Sequence, residues 1–299
     1  MAISQNNGGN RSWHLTPLVA MNDDQFAQWV ELLEERTGIS LPTERKSFLL
    51  TSLSARMREM EHKDYETYYQ FLMSGKKGDM EWEVLVDRLT VHETRFFRDE
   101  FSLRLISEAF LPDYLASSDD ALRVWSVGCA TGEEPYTLAM LLDDYFIREE
   151  KERKFSITAT DISLGSLATA LRGRYRNNRG TNVPQDFAEQ YLTKFDDEYF
   201  EVDPELRQQV SFAQFNVMKL AHARPEQMDI IYCQNLLIYF KRERRIAILE
   251  HLVKHLRPGG LLVLGAGEIL NWANPLMQSV SFPSTLAFRR IDEATGEPQ

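Results

Sequence analysis

One stretch near the middle of the chain carries residue types and spacing suited to holding a cofactor. Gly128, Ala130 and Gly132 alternate just after the apolar run of Val124, Trp125 and Val127, and Glu133 and Glu134 follow at once. Small residues let backbone pass close to a ligand, and a helix starting beyond them offers free N–H groups. This strand–turn–helix plan serves nucleotide-type cofactors, although alternating small residues also occur in ordinary tight turns. The two carboxylates set the sign of the ligand. They stand where a pyrophosphate would sit, so a phosphate ligand is disfavoured and one with an amino group or positive centre fits better.

S-adenosylmethionine carries both. Further residues suit such a ligand. Asp161 ends the second apolar run, KFSITATDIS, where a carboxylate can accept from both ribose hydroxyls; the same aspartate would also serve as a plain helix cap. Asn216, in QFNVMKL, has an amide able to read an adenine edge. The run MDIIYC leads into Gln234 and Asn235, then Tyr239. Upstream, VHETRFFRDE places Thr94, two phenylalanines and Arg98 close together. That is either a binding surface or a solvated linker with two buried rings.

The elements that position these residues follow from periodicity. From Leu122 onward apolar runs alternate with helical patterns, which argues for a mainly parallel, doubly wound sheet. Residues 174–210 interrupt the alternation and suggest a small inserted hairpin. A final pair, Gln278 to Phe282 and Leu286 to Arg290, reads as an antiparallel hairpin. Before Leu122 the pattern is helical. Asn22-Asp23-Asp24 caps one helix, Pro42 and Thr43 open another, and Gly75 closes a third. The expected division is a disordered tail over 1–17, a helical domain over 18–88, and a larger α/β domain over 89–299 with an inserted β-subdomain at about 193–212. In the second helix Arg45, Lys46, Arg56 and Arg58 lie off the apolar stripe. They form either an ordinary solvated face or a basic ridge for an acidic partner.

Composition narrows the classes. The chain has 299 residues, 43% of them hydrophobic and 26% charged, as in a soluble globular protein. A net charge of −11 argues against nucleic-acid binding by the whole surface. Cys129 and Cys233 each end a predicted strand; they read as buried thiols, with no disulfide framework and no metal site. No apolar run approaches the roughly 20 residues of a membrane span, and the N-terminus lacks a signal-peptide core, so the expected location is the cytoplasm.

Taken together, the blocks TRFFRDE, VWSVGCATGEEPYTLAM, ATDIS, FNVM, YCQNLLIYF and LRPGGLLVLGAGE resemble the chemotaxis receptor methyltransferase (CheR) family. The order matches from about residue 22 to 291, and GEEPY and NLLIYF are its most specific parts. The wording QNLLIYF resembles the PilK-like branch tied to type IV pili. The resemblance implies a class I S-adenosylmethionine-dependent methyltransferase sheet (Rossmann-like), an N-terminal all-α domain and a small inserted β-subdomain. It implies esterification of glutamates on the cytoplasmic coiled coil of methyl-accepting chemoreceptors. It would place His92, Thr94, Arg98, Gly128, Glu134, Asp161, Asn216, Val217, Gln234 and Asn235 around the cofactor. Arg98 and Tyr239 would face the reacting methyl, and Arg56 and Arg58 would meet the receptor. Three departures stand out: Gln234 where arginine is common, His92 where asparagine is usual, and Ser52 in place of an expected arginine. The alternatives are a non-catalytic cofactor-sensing adaptor of the same fold and a small-molecule methyltransferase.

Overall fold

A computed structural model describes residues 20–118, 120–224 and 226–291; the tail expected over 1–17 lies outside the described residues. Four helices come first: α1 (Asp23–Thr37), α2 (Lys46–Glu59), α3 (Tyr65–Leu72) and α4 (Lys76–Leu89). Asn22 and Gln25 form a capping box at the start of α1, and Gly38 ends that helix in the left-handed conformation. Asp64 caps α3. The helices share one core that includes Trp29, Leu53, Met57, Tyr68 and Leu85.

The basic ridge expected on α2 is largely absent. Arg56 turns inward and forms a bidentate pair with Glu81, both bonds 2.6 Å long. Its other nitrogen pairs with Glu59, and Tyr68 also donates to Glu81. Lys46 is tied to Asp23 at 2.8 Å. Arg45 and Arg58 remain exposed. The Arg56 guanidinium neutralises a buried carboxylate that would otherwise face apolar surroundings, which leaves Arg58 as the exposed member of the expected receptor pair. Arg56→Ala should cost the helical domain about 2–3 kcal/mol in urea unfolding, somewhat less than a fully buried pair because Arg56 keeps some solvent contact. Unchanged stability would contradict this assignment.

The α/β domain begins with α5 (Glu100–Arg104), a π-helical stretch Leu105–Phe110 and α6 (Leu111–Ser117). The π stretch precedes Pro112, whose missing N–H cannot continue the α ladder. Then come β1 (Leu122–Val127), α7 (Glu133–Arg148), β2 (Phe155–Asp161), α8 (Leu164–Arg172) and β3 (Arg174–Arg176). They are followed by α9 (Gln185–Tyr191), β4 (Leu192–Lys194), β5 (Tyr199–Val202), α10 (Pro204–Arg207) and β6 (Val210–Gln214). The chain closes with β7 (Met228–Cys233), α11 (Arg242–His255), β8 (Leu256–Leu264), β9 (Met277–Val280) and β10 (Leu286–Arg290).

Seven strands form one sheet in the order β6-β2-β1-β7-β8-β10-β9. The five from β6 to β8 run parallel, and β10 runs antiparallel to both its neighbours. Every residue of β7 is buried, as suits a central strand covered on both faces. Strand order reverses between β1 and β7, so a crevice opens at their carboxyl ends. The inserted subdomain is larger than the hairpin expected at about 193–212. It is a three-stranded sheet, β3-β5-β4, that starts at Arg174. Residues 210–212, included in that expectation, belong to β6, which pairs with β2 in the main sheet. The three residues of β3 are too few for a period to show.

The helical domain docks directly on the sheet's carboxyl edge. Ser40 N–H donates to the Tyr239 carbonyl at 2.8 Å, and Arg244 donates to the Gly38 carbonyl at 2.8 Å. Gly38 has φ +81°, and a Cβ there would lie 2.5 Å from the Met218 sulfur. Only glycine permits both the turn and this contact. Among the described residues no helix is long and apolar enough to cross a membrane, and no acidic, histidine or cysteine cluster could hold a metal ion. Cys129 and Cys233 are free and buried.

Candidate active site

Two contiguous cavities occupy the crevice and share Val91, Gly128, Ala130, Asn235 and Tyr239. The first is lined by His92, Asp161, Asn216 and Val217, and by Ile39, Ser40 and Arg45 of the helical domain. The second is lined by Thr94, Arg95, Arg98, Glu134 and Gln234. Every residue expected near a cofactor thus borders one cavity or the other. Arg56 and Arg58 border neither.

The turn after β1 takes its shape from three positive φ values: Gly128 at +79°, Ala130 at +45° and Gly132 at +96°. Asp161 steadies it. Its Oδ2 accepts from the Ala130 N–H at 2.8 Å and its Oδ1 from the Ser163 N–H at 2.9 Å. Asp161 thus closes a turn ahead of α8, whose cap is Ser163, and it also lines the first cavity. Burial pushes its carboxyl up, which a pair of hydroxyl donors would offset.

Glu133 and Glu134 face different surroundings. Glu133 is fully buried, accepts from the Thr131 hydroxyl at 2.6 Å and pairs with Arg179 at 3.1 Å. Glu134 faces the second cavity. Its Oε1 accepts from the Ser126 hydroxyl at 2.7 Å, and among the described residues it has no cation at ion-pair distance. Desolvation by burial pushes its carboxyl up to about 8. A cationic group entering the cavity would hold it ionised. The donor set therefore fits the amino group of S-adenosylmethionine.

A further buried carboxylate, Glu268, lines neither cavity but braces the turn that does. Glu268 accepts from the Leu237 N–H at 2.8 Å and the Gly265 N–H at 2.6 Å. Burial pushes it up to about 7. It fastens the turn in which Asn235 takes φ +59°, and so sets where Tyr239 stands. Arg45 lies over the Tyr239 ring at 6.0 Å. Arg98 is exposed, with one nitrogen donating to the Glu93 carbonyl at 3.0 Å.

Three of the expected lining side chains also bond within the protein. The Asn216 amide has protein partners as well as a place on the first cavity's lining. It donates to the Arg36 carbonyl at 2.9 Å, its oxygen accepts from the Met218 N–H, and it so joins the two domains. Gln234 turns toward α5. It donates to Asp99 at 2.7 Å and Ser102 at 2.9 Å, and accepts from the Tyr232 hydroxyl. His92 brackets α4 and α8: Nε2 meets the Asp87 carbonyl at 2.6 Å and Nδ1 meets the Ser166 hydroxyl at 2.8 Å. A carbonyl only accepts, so Nε2 carries the proton. Sequence reasoning missed Ile39, Ser40, Arg95 and Glu268, and it named Arg45 only as part of a basic ridge. The one signal for the first two was Gly38, whose tight turn lets the α1–α2 connection reach the crevice.

Comparison with known proteins agrees with this geometry. The family described as CheR methyltransferase, SAM binding domain, matches residues 92–285. The family described as CheR methyltransferase, all-alpha domain, matches residues 24–90. A chemotaxis protein methyltransferase of Borreliella burgdorferi is 28% identical over 84% of this chain and 90% of its own length. Chemotaxis protein methyltransferase 2 of Vibrio cholerae is 30% identical over 85% of this chain and 88% of its own. Chemotaxis protein methyltransferase Cher2 of Pseudomonas putida is 31% identical over 82% of this chain and 90% of its own.

Proposed function

The chain belongs to the CheR methyltransferase family and uses S-adenosylmethionine, and on that basis we propose that it esterifies glutamate side chains of chemoreceptors. One observation carries the reading. The second cavity has a carboxylate without a cation on one wall, Glu134, and an exposed guanidinium, Arg98, on the same lining. Such a site receives a cationic donor and an anionic acceptor side by side. The pilus assignment rests on the QNLLIYF wording alone and gains no support from the relatives named above, so the proposal is made for chemoreceptors. Cytoplasmic location follows from the same partner.

When bound, S-adenosylmethionine supplies an electrophilic methyl group on a sulfonium. A glutamate with an ordinary pKa of about 4.3 is already ionised at neutral pH, so no general base is required. A receptor carboxylate would be the acceptor of that methyl group, held in place by this chain's own residues. Glu134 would hold the donor's ammonium, and Asp161 would accept from its ribose hydroxyls. Arg98 would orient the incoming carboxylate, since its forked donors fix direction as well as position. Tyr239 would wall the reacting centre, excluding water that would otherwise solvate the nucleophile. Arg45, Arg58 and Arg95, all exposed, would draw an acidic receptor surface toward the crevice.

Labelled methyl transfer to a purified receptor signalling domain tests the reading. The label should be released by mild base, as a carboxyl ester is, and should vanish when the receptor's glutamates are replaced by alanine. Base-stable label would mean N-methylation. Cofactor binding without transfer to any receptor domain would favour the sensing adaptor, and transfer to small acids alone the third reading.

A further inference from the structure

Arg179 follows β3 in the inserted subdomain and lines neither cavity, yet it joins Thr94, which lines the second, to Glu133, which adjoins the lining residue Glu134. Its Nη1 donates to the Thr94 carbonyl at 2.9 Å and lies 3.1 Å from Glu133 Oε1. Thr94 belongs to the arm, residues 91–98, that carries Arg98. Glu133 is the first residue of α7 and precedes Glu134. The subdomain holds the same turn a second time: the Tyr175 hydroxyl donates to the Thr131 carbonyl at 2.7 Å. Gly132 packs so closely there that a Cβ would come within 2.9 Å of that hydroxyl. Among the described residues one other bond crosses between arm and helix, from the Phe97 N–H to the Thr137 hydroxyl at 3.1 Å. It lies a turn further along α7, away from the helix start.

We propose that Arg179 is a positioning residue for methyl transfer: by bridging Thr94 and Glu133 it fixes the gap between the arm bearing Arg98 and the helix start bearing Glu134. The inference rests on the roles given above to those two residues. One nitrogen shared by two acceptors, one on the arm and one at the helix start, sets their separation. A planar guanidinium holds that separation more rigidly than a flexible ammonium does. Without Arg179 the buried Glu133 carboxylate loses its cation, so residues 131–134 must rearrange toward solvent or take up a proton. The arm is released at the same time. A displacement of about 1 Å between reacting groups is enough to cost about 10²-fold in rate.

The test compares Arg179→Ala, Arg179→Lys and the double variant Arg179→Ala/Glu133→Gln with the wild type. Three quantities are read: affinity for S-adenosylhomocysteine by calorimetry, kcat and KM for methyl transfer, and melting temperature. Arg179→Ala should weaken binding roughly tenfold and lower kcat by about 10–10²-fold. The double variant should regain most of the affinity, because no buried charge is left unpaired, but not kcat, because the arm stays untied. Arg179→Lys, which keeps the charge and the fold, should show the same division: near-normal affinity with reduced kcat. Wild-type kcat in Arg179→Lys and Arg179→Ala would overturn the proposal, as would a double variant that recovers kcat and affinity together. Failure of the wild type to bind S-adenosylhomocysteine would instead strike the cofactor site itself.

Discussion

Arg98→Ala is expected to lower methyl transfer by about 10²–10³-fold while changing affinity for S-adenosylhomocysteine less than about threefold. The expectation follows from where Arg98 stands. It is exposed and borders the second cavity with Glu134 and Tyr239. One nitrogen is anchored to the Glu93 carbonyl, which leaves the other donors of the fork for an incoming anion. An acceptor carboxylate gripped by that fork has its lone pair aimed; in water it would have to find the orientation by chance. Arg98→Lys keeps the charge and loses the planar fork, so its rate should lie between the two. Arg98 also favours ionised Glu134 through space, which is why a small loss of cofactor affinity is allowed. Transfer at near the wild-type rate in Arg98→Ala would remove Arg98 from the mechanism.

Glu134→Gln is expected to weaken S-adenosylhomocysteine binding by about 10²-fold, the scale of a lost charge-assisted hydrogen bond in a dry site. The wild-type protein should also bind with a distinct pH dependence. Burial holds the Glu134 carboxyl at about 8, so in the free protein it is mostly protonated at neutral pH. The ligand's ammonium favours the ionised form, so binding lowers that pKa and releases a proton. Affinity should therefore rise with pH up to about 8, by at most tenfold per unit, and level off above it. Calorimetry at pH 7 in buffers of different ionisation enthalpy should show close to one proton released per ligand. Glu134→Gln should abolish the slope, which separates this carboxyl from the ligand's own titration and from Glu268. A flat profile between pH 6 and 8 in the wild-type protein would show that Glu134 does not meet the cation.

Much of the fold is written locally in the chain. Asn22 with Gln25, Asp64 and Gly38 mark helix ends because capping is a contact between near neighbours. The apolar runs that became β1, β2, β7 and β8 are long enough to show as buried strands, and the final hairpin falls within two residues of its expected bounds. The turn at 128–132, with Asp161 at the end of β2, announced a cofactor crevice because small residues and a strand-end carboxylate are needed there whatever surrounds them. The inserted sheet was less legible. Strands of three and four residues carry too little periodicity, and β3 finds its partner in β5 from well outside the β4–β5 hairpin.

Side-chain partners were not legible at all. Nothing in the chain distinguishes Arg56 from Arg58, yet one neutralises buried Glu81 and the other meets solvent. Adjacent Glu133 and Glu134 look equivalent, but the helix turns successive residues about 100° apart, so one meets Arg179 and the other the open cavity. Asn216, Gln234 and His92 reached the crevice as expected, and packing gave their polar atoms partners in α1, α5 and α8. The sequence by itself determined which elements form and which residue types gather at the sheet's carboxyl edge, because those depend on period, turn chemistry and strand order. Only the tertiary structure decided which charges are neutralised and which stay available, because that depends on groups brought together from distant parts of the chain at hydrogen-bond range.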